Sequence, residues 1–213
     1  MSLPREFASD NTAPAHPAVL EALAAANHGP SHAYGGDPWT ARAADWFREQ
    51  FGPGTAAFPV WNGTGANVLA LRALTRPWQA VVCTAQAHIQ ADECGAPELL
   101  SGCMLIDLPT ADAKLTPALL REAMHGRGDF HHVQPAVVSL TQVTEYGTVY
   151  TRDELVALCG TARELGLRVH MDGARIANAA AALGLPLRAF TRDAGVDVLS
   201  FGGTKNGAVG AEA

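Results

Sequence analysis

With 213 residues, 48% of them hydrophobic and 17% charged, the chain is long enough and apolar enough to bury one sizeable core. A net charge of -6, a pI near 5.7 and no Lys/Arg block argue against nucleic acid or an anionic membrane as the main partner. No apolar run approaches the ~20 residues that span a bilayer, and Met1–Glu6 lacks the basic and apolar regions of a secretory signal. Cys83, Cys94, Cys103 and Cys159 form no CxxC pair, so a reducing cytoplasm is the expected setting.

Taken in chain order, short apolar runs alternate with longer helical patterns. His28 and His32 are separated by Gly29-Pro30 and cannot share a regular helix face, which gives a metal site no support. Asp37 caps a predicted helix opening at Pro38, with Ala43, Phe47 and Phe51 on one face and Gly52-Pro53-Gly54 as its stop. Strands are expected at 56–61, 80–83, 104–108, 136–140, 167–171 and 196–201. They lack strict alternation, as strands covered on both faces do. Thr116-Pro117 opens another helix. Thr151 and Glu154 form a capping box ahead of the stripe Leu155, Leu158, Cys159, Ala162 and Leu165, which Gly166 closes. His125–His132 reads as an exposed loop. The alternation predicts an α/β fold with a mostly parallel central sheet and helices on both faces.

Such sheets bind ligands at the carboxyl ends of their strands. Asn62-Gly63-Thr64-Gly65-Ala66-Asn67 follows the first run and precedes the helical Val68–Leu71. Small residues there either satisfy a tight turn or let backbone amides reach a phosphate. His88 follows the second strand, as a structural hydrogen-bonding residue or a catalyst. Asp172, in His170-Met171-Asp172-Gly173-Ala174-Arg175, either pairs with Arg175 or faces a cationic ligand atom. At roughly 4 Å and an effective dielectric near 20, that second pairing is worth on the order of 4 kcal/mol before desolvation. It would hold a ring nitrogen protonated. Lys205 lies in Phe201-Gly202-Gly203-Thr204-Lys205-Asn206-Gly207, just behind the last strand, as a loop lysine or a carbonyl-seeking amine. A phosphate turn, an aspartate for a ring nitrogen and a lysine for an aldehyde together describe pyridoxal 5'-phosphate.

With these residues in view, the chain resembles the threonine aldolase/β-eliminating lyase family of fold-type I pyridoxal-phosphate enzymes. The resemblance runs from Phe7 to the last residue, through "SDN" (9–11), "YGGDP" (34–38), "NGTGAN" (62–67), "AHI" (87–89), "HMDGAR" (170–175) and "FGGTKNG" (201–207). It implies a fold-type I large domain in which Lys205 holds the cofactor as a Schiff base and Asp172 pairs with its ring nitrogen. Gly63 and Thr64 take the phosphate, and His88 stacks on the ring. Arg175 and Ser9 hold the substrate carboxylate, with Tyr34 near the active site of a homodimer or homotetramer. The implied reaction is cleavage of L-threonine to glycine and acetaldehyde, with His88 as base directly or through water. β-Elimination, transamination and a non-catalytic truncated relative are the competing expectations.

Two departures accompany the resemblance. Thr141-Gln142-Val143-Thr144-Glu145 stands where many relatives have Glu-Asn-Thr-His, so no second active-site histidine is expected there. Family members also continue beyond the segment matching Ala213 into a small C-terminal domain with another carboxylate-binding arginine. Residues 1–213 are therefore expected to hold an N-terminal segment and most of the large domain.

Overall fold

The computed structural model describes residues 8–213; the Met1–Glu6 stretch and Phe7 lie outside them. Helix α1 spans Pro17–Ala26 and α2 spans Pro38–Phe51, where Asp37 accepts from the Thr40 amide at 2.8 Å as its cap. Helix α3 runs Gly63–Leu74, followed by strand β1 (Gln79–Thr84) and the short α4 (His88–Ala91) and α5 (Ala96–Ser101). Strand β2 (Met104–Leu108), α6 (Pro117–Glu122) and β3 (Gln134–Thr141) come next. Then follow α7 (Arg152–Glu164), β4 (Arg168–Gly173), α8 (Ile176–Leu183) and β5 (Val198–Phe201). The Thr151–Glu154 capping box forms as expected, with both reciprocal bonds present.

All five strands are parallel, in the order β2-β1-β3-β4-β5. The chain steps outward from β1 to β2 and then reverses to β3. The β1/β3 boundary is therefore the switch point, where such sheets open a crevice. Val81, Cys83 and Val137 pack with Leu71 of α3 and Ile89 of α4, whereas Val82, Val138 and Met171 pack with Leu155 and Leu158 of α7. Neighbouring strand residues thus enter opposite cores, which explains the missing alternation in the sequence.

Two expectations need correction. The strand expected at 56–61 reduces to one antiparallel bridge, Val60 with Glu212. Pro59 removes a ladder donor inside that run, and the Val60 amide bonds the Glu212 carbonyl at 2.9 Å. Helix α3 begins at Gly63 instead of Val68, because Asn62 accepts from the Gly65 amide at 2.8 Å and starts the helix within the glycine turn.

The loops behind β4 and β5 are pressed together. Asn206 Nδ2 donates to the Ala174 carbonyl at 3.0 Å and the Gly202 carbonyl at 2.8 Å. A Cβ on Gly202 would lie 2.5 Å from Ala174 Cα, a backbone collision no side-chain rotation relieves. Gly202→Ala is expected to cost about 1–3 kcal/mol through overpacking. Urea unfolding checks this, and an unchanged midpoint would show that the two loops can separate freely.

Candidate active site

The carboxyl ends of β1, β3, β4 and β5 bring most of the sequence-predicted residues to one edge of the sheet. Asp172 is the second-last residue of β4 and is only 5% exposed. Its Oδ1 accepts from the Ala174 amide at 3.0 Å and its Oδ2 from Asn67 Nδ2 at 3.0 Å. Behind it, His170 is fully buried, with Nδ1 2.9 Å from Ser139 Oγ and Nε2 3.0 Å from Ser200 Oγ. This side-chain bridge ties β3, β4 and β5 together beneath the site. Burial pushes the His170 imidazole down to about 4, against the pull of the Asp172 charge, so the ring is neutral in the fold.

Lys205 lies half-buried in the turn Thr204–Asn206 behind β5. Among the described residues its Nζ has no hydrogen-bond or ion-pair partner. Across from it, α3 presents the first-turn amides of Gly63 and Thr64, which have no intrahelical acceptor. The Glu212 carboxylate lies between these elements: Oε1 accepts from the Thr204 amide at 3.3 Å, and Oε2 is 3.9 Å from where a Gly63 Cβ would stand. A carboxylate is therefore bonded to the Thr204 turn and lies near the N-terminal end of α3, a position that a helix N-terminus favours for an anion.

His88 opens α4, with Nδ1 3.0 Å from Asp92 Oδ2 and its amide donating to Glu145 Oε1 at 2.9 Å. Glu145 also accepts from Thr141 Oγ1 at 3.0 Å, while its buried Oε2 finds no partner among the described residues. Burial is the main force raising the Glu145 carboxyl, with the Asp172 charge pushing the same way and the bonds from His88 and Thr141 opposing.

Arg175 does not pair with Asp172. Its Nε and Nη2 grip both oxygens of Asp10, the Nη2 contact at 3.0 Å, and this bond is the first cause of its raised proton affinity. Burial works to raise the Asp10 carboxyl, but Arg175 and then the Lys205 charge outweigh it and hold the group below its ordinary value. Of the two alternatives for Asp172, the ion pair with Arg175 does not form, and Arg175 makes a longer-range pair with Asp10. Ser9 caps the turn Asp10–Thr12, accepting from the Asn11 amide at 3.2 Å, so it sits beside this ion pair. Tyr34 is fully exposed (106%) ahead of α2, with a left-handed φ of 58°, and stands apart from the buried cluster.

Asp10, Asn67, Glu93 and Glu145 were not assigned roles from sequence. Asn67 had a usable signal: with α3 starting at Gly63, it falls one turn in, on the face carrying buried Leu71. Glu93 and Glu145 had none, since nothing local distinguishes a buried acid from a surface one. A separate apolar cavity of about 820 Å³ lies between α2, α3 and β5, lined by Phe47, Phe51, Leu69 and Phe201; it holds none of these polar groups.

A parallel sheet that gathers a buried aspartate, a glycine-bedded lysine and a helix N-terminus at its carboxyl edge defines an α/β ligand-binding domain. The sequence model of the beta-eliminating lyase family matches residues 6–213, and the chain belongs to that family. It is 50% identical over 210 residues to a low specificity L-threonine aldolase of Pseudomonas aeruginosa, covering 98% of this chain and 61% of that protein. A Saccharomyces cerevisiae low specificity L-threonine aldolase is 33% identical over 175 residues, covering 81% of this chain and 44% of the relative. The solved structure of a Leishmania major threonine aldolase superposes with a TM-score of 0.92 at 33% identity, covering 98% of this chain and 61% of that one. The chain therefore spans about three fifths of the length of its bacterial and protozoan relatives, and its fold is the fold-type I α/β architecture expected from sequence.

Proposed function

We propose that this chain carries the cofactor site of a pyridoxal-phosphate-dependent aldolase that cleaves β-hydroxy-α-amino acids, L-threonine and L-allo-threonine giving glycine and acetaldehyde. The observation that carries the reading is the pairing of an immobilised, buried Asp172 with an uncommitted Lys205 Nζ at one sheet edge. The residues present fit the cofactor. The Thr204 amide already donates to a carboxylate that lies near the Gly63 end of α3, where a phosphate would go, and Asp172 is held by two N–H donors at the place where a cationic nitrogen would lie. The relatives named above carry the same activity in their names.

When bound, pyridoxal phosphate supplies an aldehyde that captures amines and a protonated ring that accepts the electron pair of the breaking Cα–Cβ bond. The rest falls to the chain. Lys205 Nζ would hold the cofactor through its aldehyde carbon. Asp172 keeps the ring nitrogen protonated, which an unpaired site would not do at neutral pH. The Gly63 and Thr64 amides, with the Thr64 hydroxyl, fix the phosphate. His88 would stack on the ring, and because Asp92 engages its Nδ1, its Nε2 is the nitrogen that would take the β-hydroxyl proton directly or through water. Glycine forms when Cα receives a proton in turn, so proton loss and gain balance. Ser9 and Arg175 hold the substrate carboxylate. Asp10 occupies only the Nε/Nη2 edge of Arg175, leaving Nη1 for that contact. Tyr34 approaches the site from a neighbouring subunit.

We assign residues 1–213 to an N-terminal segment plus most of the cofactor-binding large domain, in a cytoplasmic homodimer or homotetramer. Leu20, Leu23, Trp39 and Trp46 support an assembly, since they leave an apolar face exposed on α1 and α2. Among the described residues no helix is long and apolar enough to cross a membrane.

Acetaldehyde release from L-threonine, followed with a coupled reductase, tests the activity. Pyruvate from serine or amino transfer to a 2-oxo acid would instead favour β-elimination or transamination, which the same lysine and aspartate also serve. Arg175→Lys is expected to raise the KM for threonine about tenfold while kcat changes little, because an ammonium cannot hold Asp10 through two donors and still present a further donor to the substrate carboxylate. An unaltered KM would remove Arg175 from the substrate site.

A further inference from the structure

Asn67 makes an unusual use of its amide. Its single nitrogen carries two hydrogens, and both go to carboxylates: Glu93 Oε1 at 2.9 Å and Asp172 Oδ2 at 3.0 Å. All three residues are buried, Asn67 at 2% exposure and both acids at 5%. Asn67 Oδ1 and Glu93 Oε2 have no partner within the described residues. An apolar trio would avoid those buried, unpartnered oxygens, so the arrangement does not serve packing alone.

We propose that Asn67 and Glu93 are positioning residues for Asp172. Glu93 is an acceptor facing Asn67, so it fixes which end of the amide points at Asp172. A flipped amide would set its carbonyl oxygen against two carboxylates. With the flip excluded, Asp172 receives one N–H from α3 and one from the Ala174 amide of its own loop. Two donors from different elements define the plane of a carboxylate and stop its rotation. What remains of its acceptor capacity then points in one direction. Burial is the first cause of a raised Glu93 proton affinity, with the Asn67 bond opposing it and the Asp172 charge adding to it.

The inference rests on the reading of Asp172 as the partner of the cofactor ring nitrogen. Its test uses Asn67→Ala, Glu93→Gln and Glu93→Leu, with Asp172→Asn in parallel. For each, pyridoxal phosphate affinity is measured by fluorescence titration, kcat and KM with threonine, and thermal unfolding of the cofactor-free protein. Asn67→Ala and Glu93→Leu are expected to weaken cofactor binding about tenfold and lower kcat about tenfold or more, with the KM for threonine within about threefold. Glu93→Gln, which keeps a carbonyl acceptor for the Asn67 amide, should stay within about threefold of the parent in both. A merely structural role would lower the unfolding temperature while leaving cofactor affinity and kcat of the folded fraction unchanged, and that result would overturn the proposal. Should Asn67→Ala not fold, equal kcat and affinity in Glu93→Leu and Glu93→Gln would overturn it as well. If Asp172→Asn itself changes neither quantity, the underlying reading fails; if only Asp172→Asn is impaired, the positioning role alone is wrong.

Discussion

Replacing Lys205 with alanine is expected to reduce threonine cleavage at least about 10³-fold and to leave added pyridoxal phosphate removable by gel filtration. The chain has only two lysines, and the other is already engaged: Lys114 Nζ lies 2.5 Å from Glu154 Oε1 and 3.4 Å from the Val149 carbonyl. It belongs to the α6/α7 side of the molecule, where it braces the first turn of α7. Lys205 follows β5 in a turn whose glycines permit the close approach of Ala174 and Ala211. Without its amine, no covalent tether holds the aldehyde and none preorganises exchange with the substrate amine. On the transition-state scale a 10³-fold loss is about 4 kcal/mol, in keeping with loss of a nucleophile and not of a single hydrogen bond. Retained turnover in Lys205→Ala would remove this residue from the chemistry.

Asp172→Asn should lower kcat about 10²-fold or more, with some cofactor still bound. Two effects combine. The neutral amide no longer stabilises a protonated ring nitrogen, which weakens the electron sink. It is also a poor structural substitute, because both Asp172 oxygens accept N–H donors. An asparagine must turn its own NH2 toward either Ala174 or Asn67, donor against donor, at a cost of about 1–3 kcal/mol. The phosphate contacts at α3 and the Lys205 tether do not depend on this side chain, so binding weakens and is not abolished. Activity within about threefold of the parent, roughly 0.6 kcal/mol, would contradict the electron-sink role.

What could be read before the structure was local. The caps at Asp37, Thr116 and Thr151 are short-range hydrogen-bonding patterns, and each forms where its residues suggest. Five of the six expected strands exist, because a buried apolar run leaves few other solutions. The run at 56–61 fails for a reason visible in hindsight, since Pro59 interrupts it and its one bridge waits on residue 212. The start of α3 was misjudged because glycines read as turn residues, although Asn62 caps through them. Asp172 and Lys205 stood out as candidates because one lies at the end of a strand-forming run and the other in the glycine turn behind the next. The partners that tune them were not. Asp10 reaches Arg175 across 165 positions, and Asn67 reaches Asp172 across 105. No local pattern encodes contacts of that span; only the sheet order brings them together.

The central claim is that this sheet edge holds pyridoxal phosphate covalently through Lys205. The most direct measurement is borohydride reduction of the protein incubated with the cofactor, followed by peptide mass mapping. The account predicts a visible absorbance band lost on reduction and a pyridoxyl adduct on the peptide containing Lys205. No band, or an adduct on Lys114 in place of Lys205, would contradict it.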